Sequence, residues 1–179
     1  GKSCARSLLE EGATVLINAR GEETLKDTFE ELSEIDEKRV KMVVADLDTE
    51  EGRKKIIENC PNPDILVTNN SGPPPANFLD TNRDQWLKAL DANMLSAVFM
   101  IKEVLPGMVD RNFGRVINIT SAMVKSPHPL MSLSTSARAG LTAFSKAISK
   151  DVAKNNVTIN NLLRSEEHTS ELQSPPDLV

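Results

Sequence analysis

The stretch GRVINITSAMVKSPHPLMSLSTSARAGLTAF, Gly114–Phe144, changes character twice along its length. Gly114–Thr120 is a short run rich in β-branched side chains, which suits a strand. A loop of serine and proline follows. From about Ser134 the spacing turns helical and holds to Ala153, and Val157–Leu163, VTINNLL, then reads as another strand. Strand, long helix and strand in that order form a βαβ unit, and its crossover requires the two strands to be parallel.

The same alternation extends upstream. Lys2–Glu11 reads as a helix with Ala5, Leu8 and Leu9 on one face and Gly12 closing it. Thr14–Ala19 is a buried strand by composition. A helix follows with Leu25, Phe29 and Leu32 at helical spacing, its acidic face solvated. Val40–Ala45 is the next strand. Thr49–Asn59 is a helix capped by Thr49 and anchored by Ile56 and Ile57, and Asp64–Asn70 is a third strand. After three prolines, Pro73–Pro75, a long helical region is predicted from Arg83 to Val109, with Pro106 near its end. Strands alternating with helices predict an α/β fold: a Rossmann-type doubly wound parallel sheet with helices on both faces.

Bulk properties exclude several functions. A formal charge of −5 over 179 residues argues against a nucleic-acid surface. No apolar run in the sequence approaches a membrane span of roughly 18 residues, so no membrane partner is expected. Cys4 and Cys60 form neither a metal-ligand nor a disulfide pattern. No metal site is predicted, and such sparse cysteine usage fits a cytoplasmic protein. The chain contains no tyrosine. It opens on Gly1 rather than methionine and is helical at once, so it is expected to lack a first strand. Residues 164–179, RSEEHTSELQSPPDLV, break the pattern abruptly. Arg164–Ser174 resembles the translation of a common sequencing-library adapter. This tail, His168 included, is therefore set apart as non-native, leaving residues 1–163 as a partial nucleotide-binding domain.

With the elements placed, residues 1–163 resemble the short-chain dehydrogenase/reductase family, most closely its 3-oxoacyl-carrier-protein reductase-like members. GKSCARSLLEEGATVLINAR matches the segment after that family's glycine-rich nucleotide loop, with Gly1 as the loop's last glycine. Amides at the start of the following helix would face a pyrophosphate. Arg20 ends its strand where relatives preferring NAD carry a carboxylate. A guanidinium there can pair with a 2′-phosphate, so NADP (as NADPH) is expected in preference to NAD. Asp46 matches the family's adenine-contacting aspartate. Asn69 and Gly72, in NNSG, match the N-N-A-G motif that passes the cofactor.

The catalytic positions follow from the same resemblance. Asn93, in LDANMLSA, matches the asparagine that holds a water in the family's proton relay. Ser121, ending VINITS, matches the serine that hydrogen-bonds the substrate carbonyl. Counting on from Ser121 places Ser134 at the tyrosine position and Arg138 at the lysine position, in a helix that aligns without a gap. An alkanol is a far weaker acid than a phenol, which titrates near pH 10. Arg138 keeps a cation for the cofactor ribose, with a different geometry. His128, in SPHPLM, is the one histidine outside the tail and offers a substitute acid.

Two readings result. One is an NADP-dependent oxidoreductase interconverting a small carbonyl or hydroxyl substrate through a rearranged relay, using His128 or a water on Ser121. The other is a non-catalytic NAD(P)-binding protein of the same fold, a sensor or subunit. The resemblance also implies a homodimer or homotetramer in the intact protein, through the two long helices. It implies strands beyond those present, one of them central to the sheet, and this polypeptide alone is expected to be unstable and to bind NADP weakly or not at all.

Overall fold

The computed structural model describes residues 1–165; Glu166–Val179, including His168, lie outside the described residues. Helix α1 (Lys2–Glu10) buries Ala5 and Leu9, and the chain leaves it through Gly12 at φ +93°, a left-handed conformation that glycine adopts without a Cβ clash. β1 (Val15–Ala19) follows. α2 (Glu22–Asp36) opens on Glu22 and Glu23, whose charges favour the positive end of the helix dipole, and buries Leu25 and Leu32. β2 (Val40–Val44) lies parallel to β1, Val15 beside Val40 through Ala19 beside Val44. In α3 (Glu50–Asn59), Thr49 caps the helix by accepting from the Gly52 amide.

The second half carries β3 (Ile65–Thr68), α4 (Arg83–Leu90), α5 (Ser96–Asp110), β4 (Gly114–Ser121), α6 (Ser132–Val152) and β5 (Val157–Arg164). Asn82 and Gln85 form a capping box at the start of α4. The parallel order is β3-β4-β5, with Ile65 beside Arg115 and Gly114 beside Val157. The one continuous helix expected from Arg83 to Val109 is interrupted by a π-helical turn, Asp91–Leu95, which separates α4 from α5. Such widened turns are rare and are frequent at functional sites. Here it carries the buried Asn93.

The Rossmann-like α/β fold is as the alternation predicts, but its strands form two sheets. β1 pairs with β2, and β3 pairs with β4 and β5; no ladder joins β1 to β3. Residues of β1 after Val15 and all four of β3 are half-buried, whereas β4 alternates fully buried with half-buried positions. The largest apolar cluster joins Ile101, Val104 and Met108 of α5 to Val116, Val157 and Ile159 of the three-stranded sheet. A second holds α1 and α2 over β1 and β2 through Leu9, Leu32 and Val40. Arg83–Asp110 reaches a mean hydropathy of 1.3, long and apolar enough by length and composition to cross a membrane. That is more apolar than the sequence reading allows, and the reason is its buried face within the core.

Candidate active site

The C-terminal ends of β3, β4 and β5 are tied together by side chains. The Thr68 hydroxyl donates to Asn118 Oδ1 at 2.7 Å, and Asn118 Nδ2 donates to Ser145 Oγ at 2.9 Å and Asn161 Oδ1 at 3.2 Å. Thr68, Asn118 and Asn161 occupy one register row across the three strands. Asn118 and Ser145 are fully buried, and a buried polar network of this kind is stable only because its members have partners. Sequence reading missed this row; its signal is a Thr or Asn within each of the three strands.

One turn beyond it lies Ser121, the last residue of β4. Its Oγ accepts from the Met123 amide at 3.2 Å, leaving its own proton to donate. Ser134 projects from the first turns of α6 and is only 5% exposed. One helical turn on, Arg138 donates through Nη1 to Ser134 Oγ. Asn93 donates to the Ser71 carbonyl at 2.8 Å, while its buried Oδ1 has no hydrogen-bond partner. Gly72 is the meeting point: a Cβ there would lie 3.4 Å from Arg138 Nη1 and 3.5 Å from both Asn93 Oδ1 and Ser134 Oγ.

Next to this cluster is a polar cavity of about 380 Å³, lined by Asn18, Arg20, Asn69, Ser71, Gly72 and Arg138 among others. Arg20 Nη2 donates to Ser71 Oγ at 3.2 Å, bridging the ends of β1 and β3 that the backbone leaves unjoined. Asn18 donates to the carbonyls of Val43 and Ala45, at 3.0 Å each, which commits it to holding β1 on β2. Among the described residues the lining has hydroxyls, amides and guanidinium groups but no carboxylate. That donor set suits a polyanionic ligand.

Other predicted residues stand apart. Asp46 accepts from the Asp48 amide at 3.0 Å, and its neighbours Ala45 and Leu47 line the cavity instead of it. Gly1 is exposed at the start of α1 and lines neither the polar cavity nor the smaller one beside Ser121. His128 is exposed; its Nδ1 accepts from the Leu130 amide at 3.3 Å, and it lines neither the polar cavity nor the smaller one beside Ser121. Arg164 ends β5 in register with Ser121 and lines both cavities. Burial raises the Cys60 thiol above its usual range, so it offers little thiolate.

Among known proteins, the family described as short chain dehydrogenase matches residues 1–170. The chain belongs to the short-chain dehydrogenase family. It is 34% identical over 164 residues to the uncharacterized oxidoreductase YvaG of Bacillus subtilis, covering 91% of this chain and 62% of the relative. It is 32% identical over 164 residues to the 3-oxoacyl-[acyl-carrier-protein] reductase FabG of Vibrio harveyi, covering 90% of this chain and 66% of that protein. The chain thus spans less than two thirds of the length of these curated relatives. A solved actinorhodin polyketide ketoreductase with NADPH superposes with a TM-score of 0.82 at 28% identity, over 90% of this chain and 64% of that one. Members of the short-chain dehydrogenase family bind NAD(P), and the carboxylate-free, cation-bearing cavity fits such a dinucleotide.

Proposed function

We propose that this short-chain dehydrogenase chain is part of an NADP-dependent oxidoreductase that interconverts a small carbonyl compound and its alcohol, with Ser134 and Arg138 in place of the relay's tyrosine and lysine. The observation that carries the reading is the meeting of Asn93, Ser134 and Arg138 at Gly72, between the polar cavity and Ser121. When bound, the cofactor supplies the hydride. Ser121, its oxygen held by the Met123 amide, directs its proton to the substrate oxygen. Arg138 lines both cavities, so its cation serves a ribose on one side and a developing oxyanion on the other. Arg20 turns from the Ser71 hydroxyl to a 2′-phosphate, and this favours NADPH over NADH. The similar architecture of the ketoreductase solved with NADPH supports the cofactor half of the reading.

A second reading, a nucleotide-binding protein without chemistry, is favoured by one observation: the chain has no tyrosine, and the residue at that position is a serine already bonded to Arg138. The full-length protein separates the two. Under the first, NADPH is consumed with a carbonyl probe and Ser121→Ala abolishes consumption. Under the second, NADPH fluorescence changes on binding but no carbonyl probe is reduced. Association of the intact protein as a homodimer or homotetramer through α4–α5 and α6 is part of the proposal, supported by the exposed Leu87 and Phe99 on those helices.

A further inference from the structure

Beside the catalytic cluster lies a second cavity, of about 30 Å³, lined on one side by Thr120, Ser121, Met123 and Arg164 and on the other by Met131, Ser134, Thr135 and Arg138. Ser134, Thr135 and Arg138 are spaced i, i+1 and i+4 at the start of α6, with Met131 capping the helix just before them. Thr135 Oγ1 is buried and has no hydrogen-bond partner. An orphaned buried hydroxyl is costly, and a cavity of this size, above the ~10–15 Å³ minimum, accommodates a water with two to four polar partners. Ser121 Oγ, Ser134 Oγ and the Arg138 guanidinium are candidates for the other partners, with Thr120 and Arg164 also in the lining. The room exists because residue 134 is a serine and not a larger side chain.

We propose that this cavity holds a structural water that supplies the proton in carbonyl reduction, and that Thr135 is its positioning residue. The inference rests on the oxidoreductase reading above. As the C–H pair of the dihydronicotinamide adds to the carbonyl carbon, the C=O π pair moves to oxygen. The water O–H bond breaks toward that oxygen, giving the alcohol. The hydroxide left behind sits beside the Arg138 cation and regains a proton from solvent. Thr135 never touches the substrate; it fixes the water that does.

The test uses the full-length protein, with ethyl acetoacetate and 2,3-butanedione as probes and NADPH as reductant. Thr135→Val keeps the side-chain shape and removes the hydroxyl. It is expected to lower kcat at least tenfold, with KM, NADPH affinity and melting temperature unchanged, and to alter the solvent deuterium isotope effect on kcat. Thr135→Ser is expected to restore both. A crystal structure of the full-length protein should show an ordered water within hydrogen-bond distance of Thr135 Oγ1 and of Ser121 or Ser134 Oγ, lost in Thr135→Val. A cavity without that water, or a Thr135→Val enzyme with unchanged kcat and isotope effect, overturns the proposal. If the wild-type protein binds NADPH but reduces neither probe, the oxidoreductase reading fails and the proton role fails with it, while the water site is still judged by the crystal structure.

Discussion

At the scale of single residues, Ser121 and Asn118 illustrate two kinds of polar group. Ser121 lines a cavity with its oxygen held by the Met123 amide, and under the proposed function its proton goes to a ligand. Ser121→Ala is expected to lower kcat/KM for carbonyl reduction by about 10²–10³, the usual effect of removing one donor to a developing oxyanion, with little change in melting temperature. Asn118 shows the opposite profile. Its side chain is fully buried and joins Thr68, Ser145 and Asn161. Asn118→Leu would take a hydrogen-bond partner from the buried Ser145 and from the half-buried Thr68 and Asn161, and is expected to destabilise the protein by about 1–3 kcal/mol, read in urea or thermal unfolding. That Ser121, Ser134 and Arg138 come together around one cavity was legible in the sequence, because the spacing from the end of β4 into α6 is kept along the chain. The Thr68–Asn118–Asn161 row was not, because it exists only once three strands have been set in register. Gly1 and Asp46 read as cofactor residues from motif position alone, and in the structure neither side lines the polar cavity.

At the scale of elements, α1 and α2 are held together by charge as well as by their apolar faces. Lys2 and Arg6 of α1 both pair with Glu31 of α2, and their hydrogen bonds hold the Glu31 carboxyl below the usual carboxylate range. A carboxyl with a depressed folded pKa adds stability above its unfolded value, near 4.3, and loses it as pH falls through the folded value. Glu31→Gln is therefore expected to melt below the wild type at pH 7, with the gap closing as pH drops below about 4. A constant gap from pH 3 to pH 7 would assign the effect to packing instead. α3 is set by contact rather than charge. A Cβ on Gly52 would come within 2.0 Å of the Asp46 carbonyl oxygen, so only glycine lets α3 start this close to the end of β2. Gly52→Ala is expected to cost about 1–3 kcal/mol despite alanine's better helix propensity. Helices and strands were readable from periodicity, and most boundaries fall within two residues of the sequence reading. The π-helical turn at Asp91–Leu95 was invisible to it, since one extra residue in a turn leaves the apolar spacing of Arg83–Val109 nearly unchanged.

At the scale of the whole molecule, the fold class followed from the alternation of strands and helices, but the division of the sheet has its own consequence. The three-stranded sheet carries the largest apolar cluster and the buried Asn118 row, with β4 paired on both sides. The β1–β2 pair rests on a separate cluster under α1 and α2. Between the two units the links are side-chain ones: Arg20 to Ser71, Asn70 to Asp48, and the small apolar cluster of Val43, Ala45, Ile56 and Met100. A ladder propagates cooperativity through every backbone group along its length, whereas a few exposed side-chain bonds do not. Local opening is thus cheaper in β1–β2 than in β3–β4–β5. Native-state hydrogen exchange on the 179-residue chain is expected to show the Val116, Asn118 and Thr120 amides exchanging on the order of 100-fold more slowly than those of β1 and β2. NADPH, which this polypeptide alone is expected to bind weakly or not at all, should leave that difference in place. Uniform protection across both sheets without ligand would mean that the side-chain links alone make the molecule one cooperative body.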